Sequence, residues 1–333
     1  MRIQEKEYAL LNLKQLSYFL TLAEFGSIST AASALNMSQP SLSENIAKLE
    51  KQLEVQLALR GSRGIQMTEA GMALAKRGGE ILRSVEDMIE EIRGLSGEPR
   101  GLVAIGLPPS LSILLSVPML ETIYSEYPNV RLHVAEAMSG DILEWIASDR
   151  LELGCVYEAY DSAPYSFEPL LTEELFVVTA PDNWDSPIGE DGMAVDPISA
   201  TRLQELPLVL TSLAHGARKL QEKFARSVGI QLNVVATIDS LPHIVEMVSR
   251  ASAYTILSHG AVFRQVAERK LALVRIQEPT MRRTAYIVRK RARPITRACV
   301  IVESCITSII RELVDRYGIK ATLPQKADSQ PAA

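Results

Sequence analysis

The stretch that decides the fold is SISTAASALNMSQPSLSENIAKLE, residues 27–50. Ser27 and Ser38 each stand where a hydroxyl can accept from the backbone of the following turn, so each opens a helix. Pro40 falls in the first turn of the later helix, where a missing N–H costs little. Leu42, Ile46, Leu49 and Leu53 then step by 4, 3 and 4, which gives one buried stripe. Ala32, Asn36 and Leu42 stand at helix-turn-helix offsets. That motif needs a small residue where the helices cross, a turn residue tolerant of left-handed φ, and an apolar residue packing back. An ordinary helical hairpin would share the alanines and the serine cap.

Outward from this core, Leu16, Phe19, Leu20 and Ala23 recur at helix spacing until Gly26 stops the helix. On the other side, Leu57–Arg60 and Gly64–Met67 flank Gly61-Ser62-Arg63 as a small two-stranded wing. Thr68 opens a long helix to about Leu95, in which Leu74, Gly78, Ile81, Val85, Met88, Ile92 and Leu95 are spaced 4, 3, 4, 3, 4, 3. With Glu80, Arg83, Glu86, Asp87, Glu90 and Glu91 around it, this heptad seam favours self-association over packing within its own domain. Ile81, Val85, Met88, Ile92 and Leu95 are therefore the expected dimer interface.

Residues 95–101, LSGEPRG, read as a linker. Beyond it strands are expected near 102–106, 130–136, 152–156, 175–180, 207–211, 233–237, 254–257, 271–275 and 283–289, and helices near 111–126, 140–148, 216–228, 241–250, 260–268 and 295–317. Alternation of this kind predicts an open parallel-type sheet, and about 220 residues of it fit two small α/β lobes better than one. The stretch 181–200 reads as an acidic surface loop, and the chain after Ile319 as a frayed tail.

A length of 333 residues allows two domains or a little more, and 47% apolar with 23% charged residues excludes a disordered chain. The formal charge of −5 excludes a strongly basic nucleic-acid coat but not a local DNA-binding surface. Three scattered cysteines, Cys155, Cys299 and Cys305, make neither a disulfide framework nor a zinc site, so no metal is expected. The first 25 residues carry Glu5, Glu7 and Glu24 and read as no signal peptide. No apolar run reaches the roughly 18 residues of a membrane helix, so the expected location is the cytoplasm and no membrane partner is expected. There is no GxGxxG, GxxxxGK, GxSxG or HExxH, so neither a cofactor nor an enzyme is read. An α/β solute-binding protein, or an enzyme with a DNA-binding appendage, stays as the alternative, to be separated by a turnover assay on candidate metabolites.

The run Ser27-Ile28-Ser29-Thr30-Ala31-Ala32, Leu35, Ser38-Gln39-Pro40-Ser41-Leu42-Ser43, Ile46 and Leu49-Glu50 resembles the N-terminal domain of LysR-type transcriptional regulators. Arg60-Gly61-Ser62-Arg63-Gly64-Ile65-Gln66-Met67-Thr68-Glu69-Ala70-Gly71 resembles that family's wing and linker-helix start. Gly101–Gly106, Tyr127–Val130 and Glu136–Gly140 fit its effector domain, and Ile105–Ser110 is similar to the branch containing the nitrogen assimilation control regulator. The resemblance implies an all-α winged helix-turn-helix at 11–68 and a dimerising linker helix at 69–96. An α/β two-lobed, periplasmic-binding-protein-like effector domain at 101–318 follows, with lobe I at 101–171 and 277–318, lobe II at 172–276, and a flexible tail at 319–333. The implied partners are double-stranded operator DNA, a small-molecule effector of the organic-acid class and further copies of the chain as a homodimer or homotetramer, with RNA polymerase a further candidate.

Carried over by the resemblance, Gln39, Pro40, Ser43 and Glu44 face the major groove, and Arg60 and Arg63 approach phosphate or minor groove. With Leu42, Ile46 and Leu49 buried, a 100° step independently places Pro40, Ser43, Glu44, Ala47 and Lys48 on the outward arc. Gln39, at the helix start, can reach an adenine edge bidentately. Bases (Lys14, Lys48, Lys51, Arg60, Arg63) and acids (Glu24, Glu44, Glu50, Glu54, Glu69) balance over residues 11–70, so a lone monomer is expected to bind DNA weakly. Glu44 replaces the arginine or glutamine frequent in the family; it either accepts from cytosine N4 or is a solvated helix charge.

In the effector domain, small ligands bind beyond strand C-termini against helix N-termini. Ser110, Ser139, Thr211, Ser212, His215 and Thr237 stand at such turns and form the expected effector site, with Asp239 and Ser240 beside Thr237. The serines read equally as helix caps. Arg218 is the nearest arginine for an acidic ligand. Between 282 and 297 lie seven bases and no acid, read as a solvated strand end, with a partner or DNA contact as the alternative.

Overall fold

Four short polar side chains start the helices of the N-terminal unit. Asn12 accepts from the Lys14 amide at 2.8 Å, Ser27 from Thr30 at 3.4 Å, Ser38 from Ser41 at 3.3 Å and Thr68 from Gly71 at 3.0 Å. The helices they open are α1 (Leu13–Phe25), α2 (Ile28–Ala34), α3 (Gln39–Leu53) and, after strands β1 (Ala58–Gly61) and β2 (Gly64–Met67), α4 (Glu69–Gly94). The computed structural model describes residues 11–61, 64–94, 98–159 and 163–324, and the chain divides into two units between residues 97 and 98.

Asn36 adopts φ 51° in the turn between α2 and α3, as a helix-turn-helix requires. Ala31 and Ala32 are buried where the helices cross, against Phe19 and Leu22 of α1 and Leu42, Ile46 and Leu49 of α3. Each large side chain in this cluster contributes about 1.5–3 kcal/mol by leaving water. The wing pairs Ala58 with Met67 and Gly61 with Gly64, and the Ile65 amide donates to the Gly26 carbonyl at 2.8 Å. Glu50 fastens it to α3: its Oε1 accepts from the Leu57 and Ala58 amides at 2.8 and 3.1 Å.

The long seam of α4 divides in two. Gly78 meets α1 so closely that a Cβ there would lie 2.5 Å from Leu16 Cδ1, and Leu74 packs on the cluster of α1–α3. Those two seam positions therefore belong to the unit's own core. Further along, Ile81, Met88 and Ile92 are exposed and Val85 is half-buried. Leu95 lies outside the described residues.

The second unit opens with β3 (Gly101–Leu107), α5 (Pro109–Glu126), β4 (Val130–Glu136), α6 (Ser139–Ala147), β5 (Leu153–Val156) and β6 (Tyr165–Thr179). There follow β7 (Ile198–Ser199), β8 (Leu208–Leu210), α7 (Gly216–Ser227), β9 (Val234–Thr237), α8 (Leu241–Ser249), β10 (Thr255–Ser258) and α9 (His259–Ala267). The unit closes with β11 (Ala272–Gln277), β12 (Arg282–Lys290), α10 (Arg297–Asp315) and β13 (Ala321–Thr322). Among the described residues the main sheet has nine strands, in the order β4-β3-β5-β12-β6-β11-β7 with β10 and β13 also on β6, and β8 and β9 form a separate pair.

The sheet is mixed, which corrects the parallel-type expectation. Strands β4, β3 and β5 run parallel, but β12 is antiparallel to both β5 and β6, and β10, β11 and β13 are antiparallel to β6. Among the described residues no crossover helix separates β5 from β6 or β11 from β12, so the chain reverses between antiparallel strands without one. Strand β6 is 15 residues long rather than the six expected. Its first part hides in the sequence behind Glu168, Pro169, Glu173 and Glu174, and a register shift opposite Ala285/Tyr286 accommodates the proline.

Along its second half β6 is buried on both faces. Leu175 and Val177 point to one cluster, with Leu208, Leu210, Ala225 and Val274, and Phe176 and Val178 to another, with Ile244, Val248, Val262 and Leu273. The tail expectation also changes. Gly318, at φ 64°, turns the chain after α10, Ile319 is buried, and Ala321 and Thr322 pair with Glu173 and Thr172 of β6.

Candidate functional site

On α3, Gln39, Pro40, Glu44, Ala47 and Lys48 are exposed, Ser43 is half-buried, and the opposite face holds the core. Lys48 Nζ lies 2.8 Å from Glu44 Oε1, and this ammonium, by hydrogen bond and by charge, holds the Glu44 carboxyl below the usual carboxylate range. Glu44 thus carries its own counter-charge on the outward arc. The backbone of Arg60 is in β1, and Arg63 lies outside the described residues.

In the second unit, Ser110, Ser139, Thr211 and His215 come together around one cleft of about 620 Å³, partly open to solvent. Its walls include Pro108, Pro109 and Met138 from one lobe and Gly216, Asp239, Leu241 and Leu257 from the other. Neither serine works as a cap. Ser110 Oγ is 2.7 Å from the Tyr157 hydroxyl and accepts from Arg283 Nη2 at 3.1 Å, and Ser139 Oγ accepts from the Tyr157 amide at 3.3 Å. Ser240, at the start of α8, makes no side-chain cap bond either.

Two expected residues fall outside the cleft lining. The Ser212 amide donates to Asp239 Oδ1 at 2.7 Å, which ties together the turns after β8 and β9, and Thr237 is exposed at the end of its strand. That amide, helped by the Ser212 hydroxyl and by His215, holds the Asp239 carboxyl below its ordinary range, and His215 Nε2 is 3.3 Å from the same oxygen. Arg218 is committed elsewhere: its Nη2 is 2.6 Å from Glu222 Oε1.

The cation at the cleft is Arg283, which sequence reasoning placed in a solvated strand end. Its Nε donates to Glu173 Oε2 at 2.9 Å, with the two side chains 6% and 1% exposed, and its Nη2 reaches Ser110 and Ser258. The guanidinium carbon stands 3.7 Å from the centre of the Tyr157 ring. Burial pushes the Tyr157 phenol well above its ordinary value, so it remains a neutral hydroxyl. Among the other bases of that cluster, Arg282 pairs with Glu174, Arg289 with Glu168 and Glu303, Lys290 with Asp149, Arg293 with Glu152, and Arg291 with the Tyr165 carbonyl. Their acids arrive from β6, α10 and the turn between α6 and β5, so a sequence window could not show the neutralisation.

At the boundary between lobes near residues 171–174, β6 runs unbroken, and the buried Arg283–Glu173 pair sits on it. The three thiols are buried, and burial pushes Cys155 up to about 12 and Cys299 up to about 11, with Cys305 raised as well. Among the described residues no group of His, Cys, Asp and Glu could hold a metal ion, and no helix is long and apolar enough to cross a membrane.

A winged helix-turn-helix followed by a two-lobed α/β unit with an interlobe cleft defines a DNA-binding transcription regulator with an effector domain. Residues 13–72 match the bacterial regulatory helix-turn-helix proteins of the lysR family, and residues 96–305 match the LysR substrate binding domain. The chain belongs to the LysR family. It is 28% identical over 273 residues to the nitrogen assimilation regulatory protein nac of Klebsiella aerogenes, covering 81% of this chain and 86% of that one. It is 23% identical over 310 residues to the hydrogen peroxide-inducible genes activator of Haemophilus influenzae, covering 93% and 100%. Among solved structures, a full-length OxyR variant from Pseudomonas aeruginosa shares the fold with a TM-score of 0.67 at 20% identity, covering 91% of this chain and 95% of that one. Full-length CbnR complexed with its target DNA does so with a TM-score of 0.63 at 17% identity, covering 91% and 99%.

Proposed function

We propose that this chain is a non-enzymatic, effector-responsive regulator. In this reading it dimerises through Ile81, Val85, Met88, Ile92 and Leu95, assembles further as a tetramer, and reads a two-fold operator with Gln39, Pro40, Ser43, Glu44 and Lys48. Arg60 and Arg63 reach the backbone, and the cleft takes a small organic acid. Acting on a bacterial chromosome, it works in the cytoplasm with RNA polymerase as a further partner. The observation that carries the effector reading is the convergence of the N-termini of α5, α6 and α7 on the cleft beside Arg283. Free N–H groups and the positive ends of three helix dipoles favour a carboxylate there. Glu173 already balances the Arg283 charge, so orientation of donors, rather than net charge, selects the ligand.

A thiol-based peroxide sensor finds no support in these residues, because a reactive cysteine needs thiolate character and access. Thermal shift of the full chain against small carboxylates and aromatic acids tests the proposal. A ligand at a hundred times its Kd stabilises the native state by about 2.7 kcal/mol. The expected result is a melting-temperature rise with a carboxylate that Ser139→Ala abolishes. Shifts only with neutral sugars or amines would contradict it.

A further inference from the structure

Strand alternation gives the lobe crossing a second face. Glu173 of β6 and its register partner Arg283 of β12 point to the cleft, so their neighbours Thr172, Glu174, Arg282 and Thr284 point away from it. On that far side lies another cavity, broadly open and of about 630 Å³ including the solvent at its mouth, lined by Thr172, Glu174, Arg275, Arg282, Lys320, Ala321 and Thr322. Strand β13, which the register places on Thr172 and Glu173, builds one wall.

The lining carries three cations and one carboxylate. Arg282 Nη2 is 2.9 Å from Glu174 Oε1 and Arg275 Nε is 3.9 Å from Glu174 Oε2, while Lys320 Nζ stands 3.6 Å from Asp191, a residue outside the lining. Two guanidiniums carry ten N–H donors between them, and a carboxylate offers about four acceptor sites, so Glu174 alone does not saturate them. The hydroxyls on this wall are engaged within the protein, Thr322 donating to the Thr172 carbonyl at 3.4 Å and Thr172 lying 2.9 Å from the Thr284 hydroxyl, so the cations are the donors facing the cavity. Guanidiniums on two strands and an ammonium from the residue just before a third suit an anion with several oxygens.

We propose that this rear cavity binds a small multivalent oxyanion, a phosphate or a polycarboxylate, at a site separate from the effector cleft. Arg275 supplies the contact from lobe II, Arg282 the contact from the crossing strand, and Lys320 the contact from the segment after α10. The proposal does not depend on the cleft being the effector site.

Calorimetric titration of the full-length protein with inorganic phosphate, and separately with citrate, tests it at an ionic strength held constant with sodium chloride. Saturable binding of phosphate assigns the site to phosphate, and binding of citrate alone assigns it to polycarboxylates. Arg275→Gln with Arg282→Gln is expected to weaken that binding about tenfold or more. The arginine side chains are 56% and 62% exposed, so their loss leaves the core intact. Lys320→Met, which spares both arginine–Glu174 contacts, weakens it as well, and Ser139→Ala in the cleft leaves it unchanged. Absence of saturable heat with both anions overturns the proposal, as does undiminished binding in the variants. Binding lost in Ser139→Ala but kept in the arginine variant puts the anion in the front cleft and overturns it too, without touching the effector reading.

Discussion

Gln39 stands exposed at the start of α3, where its amide can meet a base edge. Gln39→Ala is expected to lose about 1–3 kcal/mol on operator DNA and almost nothing on random duplex, measured by competition binding. Arg283→Ala is expected to cost about 3–5 kcal/mol in urea unfolding, because it strands the buried Glu173 carboxylate. His259 gives a pH test. Burial, aided by Lys320, lowers its pKa from 6.5 to about 4, and its Nδ1 accepts the Lys320 amide at 3.2 Å. Between those values the unfolded chain binds a proton that the folded chain refuses, so stability falls as pH drops through that window. The loss approaches about 3 kcal/mol near the lower end, and His259→Gln flattens it. A parallel pH slope in the variant would contradict that assignment. Gln39 was legible in the sequence because a helix-turn-helix is local, with cap, turn and stripe inside some 20 residues. The Arg283 network was not, since Ser110, Tyr157, Glu173, Ser258 and Arg283 meet only through the sheet.

At the scale of elements, α4 does two things along one stripe. Its start packs on α1 through Gly78, and its later turns expose Ile81, Met88 and Ile92. Val85→Asp with Ile92→Asp is expected to shift the protein toward monomer in sedimentation and to weaken operator binding with it, since two half-sites need bridging. Operator binding unchanged in a monomeric variant would contradict the link. Helices were readable closely, because periodicity and the caps Ser27 and Ser38 with the stop at Gly26 mark them locally, whereas the Asn12 cap of α1 and the Glu54 end of α3 were not read. Strand β6 was not, because its polar residues are paid for by partners on β12 and β13 rather than by alternation. The arginine run of β12 misled for the same reason: its counter-charges are long-range.

At the scale of the whole molecule, this chain of the LysR family carries a winged helix-turn-helix unit and then a cleft-bearing α/β unit. Over residues 11–70 the wing and helices have no net charge, so affinity for DNA is expected to rest on base contacts and on two copies acting together. The most direct test is selection of bound duplexes from a random-sequence pool by the full-length protein, followed by sequencing. The account predicts enrichment of a two-fold related pair of half-sites whose centres are separated by about one helical turn or a multiple of it. A recovered pool indistinguishable from the input, or a single unpaired half-site, would contradict it.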